Sequence, residues 1–355
     1  MKRFLALLLL APVFLFSVTI HVPEDVMTVQ EAIDQSNHGD VILLSPGVYE
    51  GSIDFNGKNI TVTSLFHTTR DTSYIRSTVL DGEGVVDHVV VFHSEESMFA
   101  RLEGLTVTGG HADGPDHENS DDRGGAVLVS WGGPTLSWCR FVGNIADDCG
   151  GAISWLGSSL MSDVHIDNCV FIDNHCQGGG GGLHVVCGEA EVKIQDCTFV
   201  GNTAESGGGL LLMGQNYSIE RIVCKDNEAS ISGGGLDCIM FTGAISESVF
   251  AGNKAPRGGA IHFNGRDLDH PHYLNKADFV ACSIFGNSAE DAGGALYITS
   301  GERVRLSKCD VSGNDGEEIV LSDEGAPVQL TLASCNIEGG DEAIVSPEPS
   351  QVIWE

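Results

Sequence analysis

Basic residues are scarce in this chain. Its 355 residues include 18 Lys and Arg against 50 Asp and Glu, which gives a formal net charge of −32. Nucleic acids and anionic membrane surfaces are bound through clustered Lys and Arg, so this balance argues against both as partners. It also disfavours an anionic polysaccharide, unless bound cations reverse the local charge.

Apolar runs long enough to cross a membrane are missing as well. The longest run covers residues 4–18 and follows two basic residues. It is shorter than the roughly 20 residues of a membrane-spanning helix and is typical of a secretory signal peptide. We therefore predict a signal peptide over residues 1–19, cleaved between Ser17 and Ile20. The mature protein would then have no membrane span and be secreted, or lie at the cell surface or in a bacterial periplasm.

Short catalytic motifs are a third absence. The chain has no serine-hydrolase elbow, phosphate-binding loop or zinc-binding signature. Beyond its N-terminal region, it also has no segment with the period of a long amphipathic helix. The sequence consequently says more about architecture than about chemistry.

The most abundant feature is a repeated phrase that ends in Asn and leads into a glycine cluster. In its first copy, Asn144 is followed by Gly150, Gly151 and an apolar run. The seven repeat Asn residues are Asn144, Asn174, Asn202, Asn227, Asn253, Asn287 and Asn314. The steps between them are 30, 28, 25, 26, 34 and 27 residues. A period of this size is typical of a solenoid, in which each coil stacks on the last.

At least two short strands are indicated in each coil. After the glycine cluster, apolar residues recur at every second position, which indicates a strand with one buried side. The two apolar columns are Val127, Ile153, Leu183, Leu210, Leu236, Ile261 and Leu296, and then Val129, Trp155, Val185, Leu212, Cys238, Phe263 and Ile298. We therefore predict an all-β, single-stranded right-handed parallel β-helix of about eleven coils over residues 20–340, followed by a C-terminal tail over residues 341–355.

Asn and Cys keep fixed places in the repeat. We expect the stacked Asn amides to bond to the neighbouring coils and to turn backbone. Five Cys precede a repeat Asn by five residues, and they are Cys139, Cys169, Cys197, Cys282 and Cys309. This register predicts buried packing thiols. If any pair is bridged, we favour Cys149 with Cys176, because both lie between the Asn and the glycines of successive coils.

A short helix is predicted before the first coil. Thr28 followed by Glu31 matches a capping box, and Val29, Ala32 and Ile33 form one apolar face. A solenoid needs its open ends covered, so we expect this helix to cap the N-terminal end.

The sequence resembles two groups of known proteins. Residues 22–49, which include Val22-Pro23 and a Pro-Gly-Val-Tyr motif at residues 46–49, resemble the opening of secreted β-helix proteins of the pectate-lyase-like superfamily. The repeats, Phe-x-x-Asn followed by Gly-Gly-Ala-Ile, are similar to those of chlamydial polymorphic outer-membrane proteins. The resemblance implies a right-handed parallel β-helix and a polysaccharide or cell-surface glycan as partner. It implies no particular chemistry, because lyases, hydrolases and adhesin-like proteins all occur among these relatives.

Candidate site residues lie between the two apolar columns. This outward column, which we expect to face a ligand, consists of Leu128, Ser154, His184, Leu211, Asp237, His262 and Tyr297. Asp237 and His262 are predicted neighbours on adjacent coils, where the pair could supply a general base and the group that orients it. The alternative is a surface ion pair. The predicted ligand-binding residues are His184 and Tyr297 in this column and Met213 and Asn264 in the next outward column.

Two insertions carry side chains that could bind a metal. Residues 265–276 lengthen one coil and follow the strand of His262. Their predicted ligands for a divalent metal are Asp267, Asp269, His270 and His272. Residues 111–123 supply oxygen ligands that suit Ca²⁺, with a solvated acidic loop as the alternative. The acidic and histidine residues of that segment are His111, Asp113, Asp116, His117, Glu118, Asp121 and Asp122.

Two functions remain open on the sequence. The favoured one is an exported, non-catalytic β-helix that binds a surface or glycan in the manner of an adhesin, because the repeats are structural and catalytic signatures are missing. The alternative is a carbohydrate-active enzyme, a polysaccharide lyase or glycoside hydrolase, that uses the face of Asp237 and His262. The fold does not decide between them.

Overall fold

The protein is a parallel β-helix, as predicted. The computed structural model describes residues 17–114, 122–157, 163–188, 190–265, 276–299, 303–322 and 327–355. In these ranges, the strand pairings join equivalent strands of successive coils and are parallel, so the sheets run along the axis of the solenoid. The helices are short. None of those in the described ranges is both long and apolar enough to cross a membrane.

Sheet A is the longest of the sheets, with 13 strands in the described part of the chain. Its strands are Thr19–Val22, Val41–Leu44, Thr61–Ser64, Arg101–Glu103, Thr135–Ser137, Val164–Asp167, Val192–Gln195, Tyr217–Glu220, Thr242–Ser246, Lys276–Val280, Arg303–Ser307, Gln329–Ala333 and Gln351–Trp354. Inward residues of these strands, such as Leu136, Ile166 and Ile194, are almost fully buried.

Three further sheets complete each coil. Sheet B consists of Gly47–Glu50, Thr78–Val86, Thr106–Ala112, Arg140–Val142, Val170–Ile172, Thr198–Val200, Val223–Lys225, Val249–Ala251, Ser283–Phe285, Asp310–Ser312 and Asn336–Ile337. Sheet D, which follows the repeat Asn, consists of Ile145–Ala146, His175–Cys176, Thr203–Ser206, Glu228–Ser232, Lys254–Arg257 and Ser288–Ala292. Sheet C, which follows the glycine cluster, consists of Ile53–Asp54, Val90–Phe92, Val127–Ser130, Ile153–Leu156, Leu183–Cys187, Leu210–Gly214, Leu236–Ile239, Ile261–Asn264, Leu296–Ile298, Ile319–Leu321 and Ile344–Val345.

The two predicted apolar columns form the inner side of sheet C. Both columns are 0% exposed throughout. Across the core, Phe141, Phe171 and Phe199 stack from coil to coil, with ring centroids 5.0 Å and 4.4 Å apart. Because each coil buries its apolar side against its neighbours, the hydrophobic effect stabilises the whole stack and no coil in isolation.

The repeat Asn residues form the predicted ladder. The Nδ2 of Asn202 donates to Oδ1 of Asn227 at 2.9 Å and to the carbonyl of Phe171 at 3.1 Å. The backbone N–H of Asn202 also donates to Asn227 Oδ1, and the other ladder members repeat this pattern. At the far end, Asn314 donates to Glu318, and burial raises the pKa of that carboxyl. All seven Asn side chains are thus buried and satisfied.

Nine coils, with sheet A strands from Arg101–Glu103 to Gln329–Ala333, turn from sheet A into sheet B at one residue in the left-handed backbone conformation. These residues are Gly104, Trp138, Asn168, Asp196, Arg221, Glu247, Ala281, Lys308 and Ser334. Glycine adopts this conformation at little steric cost, whereas bulky side chains adopt it rarely. All of these residues except Gly104 nevertheless carry a Cβ, and Trp138, with a φ of 55°, is the aromatic one among them.

The thiols confirm the packing prediction. All eleven Cys are free, and the five that precede a repeat Asn by five residues are buried. Cys139 illustrates the arrangement, since its Sγ donates to the carbonyl of Leu102 at 3.4 Å. Cys149 and Cys176 are not bridged, and burial raises the pKa of both thiols to about 12.

The N-terminal helix is confirmed, and two more helices were not predicted. Helix α1, Val29–Gln35, begins after Thr28, whose Oγ1 accepts from the N–H of Glu31 at 3.2 Å. Helices α2, Phe66–Thr69, and α3, Ser73–Ser77, lie between a strand of sheet A and a strand of sheet B. The repeat pattern does not predict these two helices, because they fall in an insertion outside the repeats.

The predicted boundary at residue 340 is wrong. A 3₁₀-helix, Gly340–Ala343, leads into Ile344–Val345 of sheet C, and Gln351–Trp354 then pairs with Gln329–Ala333 of sheet A. The segment therefore continues the solenoid and is not a separate tail. At the other end, the strand of sheet A begins at Thr19, the last residue of the predicted signal peptide. Cleavage of that peptide stays a prediction.

Candidate functional site

Asp237 and His262 are neighbours, as the register predicts. They pair directly on adjacent strands of sheet C, and His262 Nδ1 lies 3.1 Å and 3.0 Å from the two carboxylate oxygens of Asp237. Ser232 donates its hydroxyl to the same carboxylate at 2.5 Å, and Ser206 lies 3.2 Å from the Ser232 hydroxyl. On the other side, the imidazole stacks on Tyr297 at 5.7 Å between ring centroids.

The expected exposure of this pair is wrong. The side chains of His262 and Asp237 are 7% and 3% exposed. The reason is the glycine turn between sheets D and C, which folds back over the outward column. A Cβ on Gly233 would lie 2.9 Å from the Cβ of Asp237, so the turn approaches as closely as it does because glycine has none. No partner for His262 Nε2 occurs among the described residues.

The rest of the outward column is covered in the same way. His184 is 3% exposed and Tyr297 is 9% exposed, so neither is placed as a ligand-facing side chain. His184 Nδ1 lies 3.4 Å from the Ser154 hydroxyl. Burial, and to a lesser degree the charge of Arg123, lowers the pKa of His184 to about 4, although Asp148 acts in the opposite direction. The imidazole is therefore neutral at pH 7.

The second outward column of sheet C remains partly exposed. Its members are in register from coil to coil and are all half-buried, namely Leu156, Val186, Met213, Ile239 and Asn264. Met213 and Asn264 are thus the predicted ligand-binding residues that stay accessible. The strip is apolar except at Asn264, whose side chain accepts from Thr299 Oγ1 at 3.5 Å. It offers apolar surface with few hydrogen-bonding groups.

Both predicted metal sites rest largely on residues outside the described ranges. This holds for Asp267, Asp269, His270 and His272, and also for Asp116, His117, Glu118 and Asp121. In the second segment, the described Arg123 donates to Asp148 at 2.6 Å, and Asp122 is buried. The residues that the structure describes include no group of three or more His, Cys, Asp and Glu placed to hold a metal ion.

Both outward columns of sheet A are largely accessible, whereas the first outward column of sheet C is covered. Two outward columns run along it in register. From the strand Val164–Asp167 onward, their half-buried or exposed polar members are His165, Lys193, Ser218, Asp278, Arg305 and Thr331 in the first column, and Asp167, Gln195, Glu220, Ser246 and Ser307 in the second. We call this surface the sheet A face. It presents hydrogen-bond donors and acceptors on successive coils.

A pocket of about 380 Å³ lies at the N-terminal end of the sheet A face. It is lined by Phe66, Arg70, Thr72, Arg101, Glu103, Trp138 and Asp167. We call it the Trp138 pocket. Its volume lies within the range of small-molecule sites in proteins. Sheet A supplies the floor, helix α2 with the following residue supplies one wall, and the left-handed turn at Trp138 supplies the other.

The aromatic wall of this pocket is anchored by a glycine. Phe66 is 2% exposed and packs over Gly104, where a Cβ would lie 2.7 Å from the phenyl ring. The Phe66 ring lies 5.2 Å from the Trp138 ring, and the Arg70 guanidinium lies over Phe66 at 5.3 Å. A half-buried indole and a stacked guanidinium thus border the opening.

A buried carboxylate holds the cationic side of the pocket in place. Glu103 accepts from Arg70 Nη1 at 3.1 Å and lies 2.5 Å from His67 Nδ1. Burial alone would raise the pKa of Glu103, but the hydrogen bonds from His67 and Arg70 outweigh it and hold the pKa below its usual range. The carboxylate is therefore ionised at neutral pH. Beside it, Arg101 donates to the Ser137 hydroxyl at 3.4 Å.

Sequence reasoning missed this pocket, although signals were present. Asp71 accepts from the N–H of Ser73 at 2.9 Å, a local turn that a short polar stretch before α3 favours. Trp138 is the aromatic residue at a turn position where the other coils have small or polar residues, which marks an exception in the repeat. The contact between α2 and sheet A could not be predicted, because the repeat does not fix how an insertion folds back.

The fold and surfaces define a parallel β-helix protein. No model of a known protein family matches the chain. An alignment of 195 residues is 29% identical to the metabotropic glutamate receptor-like protein P of Dictyostelium discoideum, and it covers 50% of this chain and 14% of that protein. This chain therefore spans a small part of that relative.

Two solved structures resemble the chain along nearly its whole length. They are a pectin methylesterase from carrot, at 11% identity and a TM-score of 0.36, and an endo-xylogalacturonan hydrolase from Aspergillus tubingensis, at 13% identity and a TM-score of 0.41. Both matches cover 95% of this chain, with 88% of the first protein and 95% of the second. At these identities the similarity concerns the fold alone.

Proposed function

We propose that this protein is an exported, non-catalytic β-helix that binds a polysaccharide or cell-surface glycan along the sheet A face. The observation that carries the proposal is the accessibility of that face, with its polar side chains in register on successive coils. The other polar column that the repeat creates, on sheet C, is buried under the glycine turns. A polymer laid along the axis would meet hydroxyl, amide and charged groups at every coil, about 4.8 Å apart.

The net charge of the chain limits which polysaccharides are suitable partners. A net charge of −32 disfavours polyanions, whereas sugar hydroxyl groups bond to both donors and acceptors. The face carries both kinds of group, as His165, Lys193 and Gln195 illustrate. The buried Asp237 and His262 supply no accessible acid or base, which favours binding over turnover.

Binding should be tested on the mature protein with soluble neutral and acidic polysaccharides, by affinity electrophoresis and calorimetry. The face variant would combine His165→Ala, Lys193→Ala and Gln195→Ala. The loss of several polar contacts is expected to weaken binding about tenfold or more. A control with the same residue types elsewhere would combine His175→Ala, Gln177→Ala and Lys225→Ala, all at exposed positions outside sheet A. This control should bind like the wild type.

Three outcomes would contradict the proposal. If no polysaccharide binds, the glycan-binding function is wrong. If new reducing ends or unsaturated uronate products appear and are lost in Asp237→Ala, the protein is a carbohydrate-active enzyme and the alternative function is correct. If the face and control variants weaken binding equally, the binding surface lies elsewhere.

A further inference from the structure

We infer that the Trp138 pocket is a subsite for one uncharged pyranose ring, which fixes the end of the bound glycan. This inference rests on the proposed function and assigns it a ligand class and an anchoring point. It is built on three observations, namely the aromatic wall, the balance of charge inside the pocket and the half-buried Trp at a turn where the other coils have small or polar residues.

The aromatic wall suits the apolar face of a sugar ring. A pyranose has C–H groups on its faces and hydroxyl groups around its rim. The half-buried Trp138 indole offers a flat apolar surface, while Arg70 and Asp167 offer a donor and an acceptor at the edge of the same pocket. Small-molecule sites in proteins combine apolar walls with a few well-placed polar groups in this way.

The charges inside the pocket balance, which selects against an acidic ligand. Arg70 and Arg101 face two carboxylates, Glu103 and Asp167. Glu103 already engages Arg70, so the two cations do not form a vacant anion site. Outside the pocket, the net charge of −32 repels polyanions. Each guanidinium group carries five N–H donors. Arg70 uses one nitrogen to bond Glu103, and Arg101 uses one to bond Ser137. The other N–H groups of both side chains can donate to sugar hydroxyls.

The identity and exposure of Trp138 point to a binding role for the indole. At the same turn the other coils have small or polar residues, and Trp138 is the aromatic one among them. The indole is also not fully buried, so core packing alone does not account for it.

The test uses Trp138→Gly in the full-length mature protein. Glycine adopts the left-handed conformation without a steric cost and occupies this position in the preceding coil, so the variant should fold. Binding of cellohexaose, xylohexaose and mannohexaose, with hexagalacturonate as the acidic probe, would be measured by calorimetry. We expect at least one neutral hexasaccharide to bind and Trp138→Gly to weaken it about tenfold, as expected for loss of an aromatic stacking surface. Trp131→Ala is the control, since Trp131 is 66% exposed and lies outside the pocket.

The outcomes separate this inference from the proposed function. If glycans bind and Trp138→Gly binds them as well as the wild type does, the subsite is wrong and the proposed function stands. If hexagalacturonate binds in preference to the neutral probes and Trp138→Gly loses it, the pocket is a subsite for acidic sugars and the ligand class is wrong. If none of the glycans binds, both the subsite and the proposed function are wrong. Asp167→Asn, which keeps the side-chain volume, provides a second variant and should weaken binding with Trp138 intact.

Discussion

His262 Nδ1 lies 3.0 Å from Asp237 Oδ2 in a layer that is almost completely shielded from solvent. The pair has the spacing of a general base with its orienting carboxylate, yet it is enclosed by the turn that carries Gly233. Its geometry therefore fits a structural role in holding the glycine turn against sheet C. The same contact, if exposed, would favour catalysis.

The first prediction concerns this pair. Asp237→Ala should lower the free energy of unfolding by about 3 kcal/mol, because it leaves the Ser232 hydroxyl and the His262 imidazole buried without their partner. Glycan affinity should not change, since the pair is remote from the sheet A face in the coil. Chemical denaturation and calorimetry measure the two quantities. Asp291→Ala, at an exposed position, is the control and should leave both unchanged.

The second prediction concerns the Asn ladder. Asn202→Ala should lower the free energy of unfolding by about 3 kcal/mol, because the side chains of its neighbours and the carbonyl of Phe171 lose buried hydrogen bonds. Asn37→Ala, on the surface, should cost under about 0.5 kcal/mol. Urea denaturation followed by circular dichroism gives both values. Equal effects in the two variants would show that the ladder contributes little.

The third prediction concerns acid stability. His184 has a pKa lowered from 6.5 to about 4, so the unfolded state takes up its proton first as the pH falls. The stability that His184 contributes is complete above pH 6.5 and declines between pH 6.5 and 4. His184→Leu removes that decline. The free energy of unfolding of the variant, relative to the wild type, should therefore be about 2 kcal/mol higher at pH 4.5 than at pH 7. Leu is a suitable replacement because Leu211 occupies the same column in the next coil.

Urea midpoints at the two pH values measure this effect. His175→Leu, at an exposed position, should follow the wild type at both pH values. The explanation is incorrect if His184→Leu loses stability on acidification as steeply as the wild type does.

The fourth prediction concerns the glycine beneath Phe66. Gly104→Ala places a Cβ 2.7 Å from the Phe66 ring at a φ of 67°, so it must both strain the backbone and displace helix α2. Gly143→Ala is a matched control with a φ of 63° and open space around the new Cβ. Both should lose about 1 kcal/mol from the backbone, and Gly104→Ala should lose more. Only Gly104→Ala should also weaken glycan binding, because Phe66 supports the Trp138 pocket.

The fold could be predicted in detail because equivalent residues of the repeat occupy equivalent positions in successive coils. The inward columns, the Asn ladder, the buried thiols and helix α1 follow from spacing and residue type. The neighbourhood of Asp237 and His262 also follows, since a parallel register of equivalent coils leaves no other arrangement. These features depend on contacts between residues at fixed offsets, which a sequence displays.

The exposure of the site could not be predicted from the same rule. Alternation along a strand says which side of the sheet a residue faces, and it does not say what covers that side. The outward column is covered by the turns that contain Gly233 and its equivalents. Residues without a Cβ permit a close approach of these turns to sheet C. Helices α2 and α3 were missed for a related reason, since an insertion is outside the period that organises the rest.

The ladder of Asn amides has a consequence for how the length of this protein can change. From Asn144 to Asn287, each amide donates toward the C-terminal side to Oδ1 of the next Asn, so Asn202 and Asn227 are interchangeable partners for Asn174. Removal of residues 202–226 would bring Asn227 next to Gly201 and leave an intact ladder one coil shorter. Removal of part of a coil would instead misalign every sheet. Deletion or insertion of whole coils would thus shorten or lengthen the sheet A face in steps of one coil, about 4.8 Å each.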